Sequence, residues 1–247
     1  MPTVRRTFRA LSICLLAIAG VTLGGFLALY AMNRREVRIA QEMMTDASQL
    51  QIDRSSFADA LAYARKYNGD IRSSWANRPC LETDCLVWAT ANKNDFWKRH
   101  PKFGDAVQRV LRRGWRYSVL IWVKNGKMSG IEEWFVYMKP RASSFVITTV
   151  SQPSPELCQN PYFQLHHKFV AYPGPKVFHV WVSPVATSEK ELLKLNFSCA
   201  LRVSGCKDIA DMVPAAWARY KADAPIVEAN ESRWRKEATA NSHCPAD

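Results

Sequence analysis

The longest apolar run in the chain covers residues 10–32, which contain no charged side chain. As a helix with a rise of 1.5 Å per residue it would be about 34 Å long, enough to cross a hydrocarbon core of about 30 Å. We therefore predict a transmembrane helix over 10–32 and a short cytoplasmic segment over 1–9. Arginines flank the run on both sides: Arg5, Arg6, Arg9, Arg34, Arg35 and Arg38.

Two other readings of the same run are a cleaved signal peptide and a lipoprotein signal. The first would use Ala17-Ile18-Ala19 as its cleavage site and the second would end at Cys14. The apolar part of a signal peptide spans about 7 to 15 residues, whereas this run continues well past Ala19. Cys14 follows the bulky Ile13, where a small residue is required. An uncleaved single-pass anchor is therefore favoured.

Helical periodicity continues after the anchor. Residues 33–53 contain good helix formers and neither Gly nor Pro, which indicates a juxtamembrane helix or stalk. Ser56 followed three residues later by Asp59 resembles a capping box, so a second helix is predicted to begin there and to end at Asn68-Gly69.

Period-two alternation begins further along. Residues 115–124 alternate, Asn125-Gly126 is typical of a tight hairpin turn, and residues 129–139 supply the second strand. Further strands are predicted at 85–91, 144–151, 167–172, 177–183 and 195–203, with a turn at Pro173-Gly174-Pro175. A helix is predicted over 208–221.

Strands grouped together with helices at the ends favour an α+β fold over alternating βαβ units. The predicted architecture is an N-terminal transmembrane helix followed by an antiparallel-sheet domain with flanking helices. We place this extracytoplasmic domain at 54–221 and a polar C-terminal tail at 222–247.

Six cysteines lie outside the anchor, an even number that indicates an oxidising compartment. Since the flanking arginines balance, the cysteines decide the orientation: N-terminus inside, main domain outside the cytoplasm. The short separations of Cys80 from Cys85 and of Cys199 from Cys206 suit local disulfides. Cys158–Cys244 would complete one of fifteen possible connectivities, with free thiols as the alternative. No metal site is expected from these spacings.

One segment of the sequence resembles a group of known proteins. Leu50-Gln51-Ile52 leads into Ser55-Ser56-Phe57, a helix ends at Tyr67, and a cysteine-containing strand follows. This arrangement resembles a group of uncharacterised, membrane-anchored bacterial proteins over about the first 90 residues. The resemblance implies a bacterial envelope setting and no known activity.

The distribution of charge along the sequence indicates a candidate anion-binding surface. The chain carries 34 Lys and Arg against 22 Asp and Glu, and ten of these basic residues fall between Lys93 and Lys127. The segment is either a solvated helix face or a site that attracts anionic lipid, a wall polymer or an acidic protein partner. Nucleic acid is unlikely for an extracytoplasmic domain. The anion-binding candidates are Lys98, Arg99, Lys102, Arg109, Arg112 and Arg113.

Catalytic signals are weak. No nucleophile, metal-protease or phosphate-loop motif occurs, and Glu132 and Glu133 should face opposite sides of a strand. At most one of His166 and His167 could join His179. We therefore assign no catalytic residue, metal or cofactor. The sequence favours a membrane-anchored extracytoplasmic binding or scaffolding protein of the cell envelope; the alternative is a hydrolase-like envelope enzyme whose site is assembled from dispersed residues.

Overall fold

A computed structural model describes residues 2–72, 80–81, 83–91, 114–138, 145–151, 162–170, 172–182, 187–202 and 204–222. The helices are α1 (Pro2–Gln49), α2 (Phe57–Lys66), a 3₁₀ helix (Thr187–Leu193), α3 (Ser198–Leu201), α4 (Ile209–Met212) and α5 (214–222). The strands are β1 (Asp70–Arg72), β2 (Asp84–Ala91), β3 (Gly114–Lys124), β4 (Lys127–Met138), β5 (Phe145–Ser151), β6 (Tyr162–Val170) and β7 (Tyr172–Val182).

Helix α1 is one unbroken helix that includes the predicted membrane segment and the predicted stalk as far as Gln49. Its first half leaves large apolar side chains exposed, with Ile13 at 66%, Leu16 at 73% and Val21 at 77%. This part is long and apolar enough to cross a membrane. A helix with apolar side chains on every side has no polar face to turn to water, which fits such a span.

The second half of α1 packs against the domain instead of standing free as a stalk. One side of it is buried in the core of the domain, at the helical spacing of Val37, Ala40, Met43 and Ala47. The side chains of this stripe belong to the same core as those of the sheet. The domain includes α1 from about Asn33 onwards, because this stripe covers the sheet.

The seven strands form a single sheet in the order β1-β2-β3-β4-β5-β7-β6. Strands β1 to β5 form an antiparallel meander, β6 and β7 form a hairpin at the other side, and β5 pairs with β7 in parallel. The predicted α+β class with an N-terminal apolar helix and flanking helices is confirmed. The one parallel pair arises because β6 occupies the outer position of its hairpin.

Two local predictions are confirmed in detail. Asn125 and Gly126 both have positive φ, at 53° and 77°, which is the left-handed backbone that a two-residue hairpin requires. Ser56 caps α2 with a complete capping box, in which Asp59 accepts from the Ser56 backbone N–H at 2.7 Å. Helix α2 then buries Ala60, Tyr63 and Ala64 against the sheet.

Two other predictions are wrong. Of the strand predicted at 195–203, the described residues 195–202 form an irregular turn followed by α3, although burial alternates there through Leu195, Phe197 and Cys199. Alternation over so short a run does not distinguish a strand from other buried structure. Pro173-Gly174-Pro175 is not the β6–β7 turn, because Val170 already pairs with Tyr172 and these residues lie within β7.

Two local cysteine pairs lie at disulfide distance. The Cα atoms of Cys80 and Cys85 are 4.9 Å apart, and those of Cys199 and Cys206 are 4.7 Å apart. Both separations are within the range of protein disulfides. Cys158 and Cys244 lie outside the described residues, so their pairing stays a prediction. Cys14 is a free thiol on the exposed part of α1.

Peptide mapping without reduction should recover both local pairs, and complete pairing of the six outer cysteines would lower the mass of the chain by about six hydrogens. Replacing Cys199 and Cys206 together by Ala should lower the unfolding free energy by about 2 kcal/mol, because the disulfide closes a short loop in the unfolded chain. Denaturant unfolding of the full chain in detergent measures this loss, with Cys14→Ala as the control that should change nothing. Free thiols at any of the four paired positions would contradict the assignment.

Candidate functional site

One side chain of α1 is hydrogen-bonded to the end of the sheet nearest the apolar half of this helix. Asn33, directly after the apolar run, accepts a hydrogen bond from Trp115 Nε1 at 2.9 Å and donates one to the Ala200 carbonyl at 2.9 Å. Trp115 is the second residue of β3, so the start of β3 lies beside the point where the apolar run ends. We call this end of the sheet the anchor-side end.

The opposite end of the sheet, here the far end, lies where α1 finishes. The turn after α1 is hydrogen-bonded to the first residues of β4, with Asp53 N–H donating to the Met128 carbonyl at 2.8 Å and Met128 N–H to Ser55 at 3.0 Å. Helix α1 therefore crosses the sheet from the start of β3 to the β3–β4 hairpin. The helix that carries the apolar span therefore contacts the domain at both ends of the sheet.

Antiparallel pairing decides which connecting segments leave from which end. Ala91 pairs with Tyr117 and Met138 with Gly114, so segments 92–113 and 139–144 both begin and end at the anchor-side end. Segments 73–83 and 152–161 begin and end at the far end, because Arg72 pairs with Leu86 and Ser151 with Ile131.

The charges of these segments differ sharply. In the sequence, the two segments at the anchor-side end contain nine Lys or Arg and two Asp, whereas the two at the far end contain one Arg and two Glu. In the sequence, the excess positive charge of these connecting segments falls in 92–113 and 139–144, while Lys124 and Lys127 border the β3–β4 hairpin at the far end. The predicted anion-binding residues Lys98, Arg99, Lys102, Arg109, Arg112 and Arg113 themselves lie outside the described residues.

The two glutamates of β4 face opposite sides of the sheet, as their positions predict. Glu133 pairs with Val119 and Thr149 on the side covered by α1 and α2. Among the described residues, Glu133 Oε2, Tyr117 Oη and Thr149 Oγ1 are buried without a protein hydrogen-bond partner. Alternation along a strand predicts only that the two glutamates face opposite sides, and the helix layer shows that Glu133 is the covered one.

Burial raises the pKa of Glu133 to about 7, and the nearby Tyr117 hydroxyl opposes the shift only partly. The contact with Tyr117 falls short of full hydrogen-bond geometry. Burial together with the Glu133 carboxylate also raises the pKa of Tyr117 and that of Tyr63, whose hydroxyl donates to the Met43 carbonyl of α1 at 3.1 Å. A carboxyl group that changes protonation near neutral pH therefore lies beneath both helices.

Glu132 lies on the other side of the sheet among tryptophans. Trp134 Nε1 donates to its carboxylate at 2.5 Å. Burial raises the pKa of Glu132, while hydrogen bonds from Trp134 and Trp122 lower it. His179 shares this side and stacks on Trp181 with ring centroids 5.0 Å apart.

These groups do not form a catalytic cluster. His179 is opposite Gln164 of β6 rather than His166 or His167. Glu132 is in register with Trp181 rather than with His179, so the two residues are separated by two strand spacings and by two residues along the strand, about 12 Å in all. Glu133 faces the opposite side. In the part of the chain that the structure describes, no three His, Cys, Asp or Glu side chains could hold a metal ion together.

Comparison of the chain with protein families, curated proteins and solved structures finds no match. The geometry described above is therefore the basis for a proposal about function.

Glu133 should make the stability of the domain depend on pH. Its pKa is about 7 in the folded state and near its ordinary value of 4.5 in the unfolded state. The contribution of Glu133 to the unfolding free energy is fully present below pH 4.5. It is lost as the pH rises through about 7, which lowers the unfolding free energy by about 3 kcal/mol. Glu133→Gln should flatten the unfolding free energy between pH 5 and 8, measured by denaturant titration of the full chain in detergent.

The matched control is Glu191→Gln, an exposed glutamate with 69% of its side chain accessible. This variant should keep the slope of the parent protein. Equal slopes for the parent and Glu133→Gln would show that the carboxylate does not titrate near neutral pH.

Proposed function

We propose that the chain is a single-pass protein of the cell envelope whose domain lies outside the cytoplasm and acts as a binding or scaffolding component at the membrane surface. The membrane-length apolar helix supports the anchor. The two local cysteine pairs at disulfide distance support an oxidising compartment, and thereby an N-terminus inside the cell.

The observation that carries the proposal is the continuity of α1. No flexible linker separates the apolar span from the domain, because the helix that would cross the membrane is itself part of the core from Val37 to Ala47. Asn33 holds the start of β3 at the point where the span ends. With the helix in a bilayer, the anchor-side end faces the lipid headgroups.

The charge difference between the two ends favours one partner. A positive surface beside the membrane attracts anionic lipid, and each Lys or Arg near such a surface adds about 1 kcal/mol. A wall polymer or an acidic protein partner would more easily reach the far end, where Lys124 and Lys127 border the β3–β4 hairpin but segments 73–83 and 152–161 contain one Arg and two Glu. We therefore propose that the basic segment 92–113 binds anionic headgroups and holds the domain close to the bilayer.

An envelope enzyme is the other candidate from the sequence. Among the described residues His179, Glu132 and Glu133 do not converge, so no arrangement of acid, base and nucleophile supports it. We do not propose a reaction for this protein.

Topology can be tested with single added cysteines in a Cys14→Ser background. A cysteine at Asn125, in the far-end hairpin, should react with a membrane-impermeant maleimide on intact cells. A cysteine at Thr3 should react only after permeabilisation, because the N-terminal segment is inside. The background protein without an added cysteine corrects for other thiols. Labelling of position 3 but not 125 on intact cells would reverse the orientation.

Lipid binding can be tested by hydrogen exchange of the full chain in nanodiscs. Peptides from 92–113 should exchange more slowly in discs that contain anionic lipid than in purely zwitterionic discs. The protection should fade as salt is raised, because the Debye length is about 8 Å at physiological ionic strength and shorter above it. Peptides from 73–83, at the far end, should show no lipid dependence.

The matched variants are a charge reversal at each end. Replacing Arg109, Arg112 and Arg113 by Glu should abolish the protection by anionic lipid, whereas Arg78→Glu should leave it unchanged. Equal exchange of 92–113 in both lipids and at all salt concentrations would mean that the segment is merely solvated.

A further inference from the structure

Three buried oxygen atoms without a protein hydrogen-bond partner lie on the side of the sheet that α1 and α2 cover. They are Tyr117 Oη on β3, Glu133 Oε2 on β4 and Thr149 Oγ1 on β5. Tyr117 is 0% exposed and Thr149 is 2% exposed, so bulk water does not reach their hydroxyl groups. Leaving a buried polar group unpaired costs free energy, and three such groups on neighbouring strands therefore require a common partner.

The register of the sheet brings these three groups together. Glu133 and Thr149 are direct partners on β4 and β5, so their Cβ atoms are about 5 Å apart. Tyr117 is the partner of Phe135, two residues from Glu133, and its long side chain can span this diagonal. Burial, and after it the Glu133 carboxylate, raises the pKa of Tyr117, which indicates that the hydroxyl and the carboxyl group are close.

The polar side chains of the two covering helices are already paired. Tyr63 donates its hydroxyl proton to the Met43 carbonyl, and Tyr67 donates its own to Asp46. Lys66 is paired with the same Asp46 carboxylate. These contacts join α1 to α2 above the sheet, and they leave neither tyrosine with a proton to donate to the three oxygen atoms below.

We propose that Tyr117, Glu133 and Thr149 together bind one ordered water molecule in the core, beneath α1 and α2. A buried water molecule in a protein makes about three hydrogen bonds. Here it donates to Glu133 Oε2 and accepts from the hydroxyl groups of Tyr117 and Thr149, so one molecule satisfies all three groups. This inference goes beyond the proposed function and is independent of the direction in which α1 crosses a membrane.

A cation is the other ligand that such oxygen atoms attract, and two observations favour water over it. Hard cations such as Ca²⁺ and Mg²⁺ take about six or more oxygen ligands, whereas the site has one carboxyl group and two neutral hydroxyls. Burial also favours the protonated form of Glu133, which carries no charge to balance a cation.

Thr149→Val tests the water site by the sign of its effect, because valine keeps the shape of threonine and removes only the hydroxyl group. If Thr149 Oγ1 had no partner, its removal would raise the denaturant midpoint, since a buried unpaired group would be lost. If Thr149 binds the water, the midpoint should fall. The measurement is denaturant unfolding of the full chain in detergent at about pH 6, below the pKa of Glu133 of about 7.

The matched control is Thr90→Val, which breaks a direct hydrogen bond between Thr90 and Ser118 at 3.0 Å and gives the fall in midpoint caused by one lost bond. In a Tyr117→Phe background, Thr149→Val should lower the midpoint by less than in the parent, because both hydroxyl groups act through the same water. A crystal structure of the full chain should show one water within about 3 Å of all three oxygen atoms.

Several results would overturn the water site. One is a midpoint that stays unchanged or rises in Thr149→Val, and another is a fully additive effect of the two substitutions. A direct hydrogen bond between Tyr117 and Glu133 in the crystal, with no water between them, would also contradict it. A midpoint that differs between sodium, potassium and choline chloride at equal ionic strength, with the difference lost in Thr149→Val, would assign the site to a cation instead.

Discussion

The packing of α1 on the sheet is the interaction on which the remaining structure depends. From Asn33 to Gln49 the helix advances about 24 Å, about two-thirds of the length of β3. The buried stripe of Val37, Ala40 and Met43 supplies the apolar contact, and the hydrogen bonds of Asn33 fix the register. The orientation of the domain relative to the span is therefore set by core packing rather than by a linker.

The same packing explains why the interior contains a carboxylate. A helix laid over an alternating strand buries every second residue, including Glu133. Its neighbours Tyr117 and Thr149 are hydroxyl-bearing residues that do not complete its hydrogen bonding. A buried carboxyl group without a cation beside it is more easily kept protonated, since burial disfavours the charged form. The contact between α1, α2 and the sheet is thus the part of the core that responds to pH.

The distribution of charge between the two ends follows from the topology. In an antiparallel meander successive connections alternate between the ends of the sheet, so 92–113 and 139–144 emerge together while 73–83 and the β3–β4 hairpin emerge opposite them. The parallel pairing of β5 with β7 brings the β6–β7 turn to the first of these ends. The strand ends that flank the basic sequence segments 92–113 and 139–144 therefore lie at the end of the sheet nearest the apolar half of α1.

The sequence by itself determined the features that depend on neighbouring residues: the apolar run of α1, the capping box at Ser56, the Asn125-Gly126 turn, and the two short cysteine pairs. It also indicated that Glu132 and Glu133 face opposite sides of a strand, because side chains alternate along it. Only the tertiary structure decided that α1 is part of the core, that 195–202 is not a strand, and that β7 includes Pro173 to Pro175. These features depend on contacts between distant residues, such as that of Asn33 with Trp115, 82 positions apart. Local periodicity cannot show which face of a helix or strand packs against which other element. The packing energy depends on the side chains of both elements, and the periodicity describes only one of them.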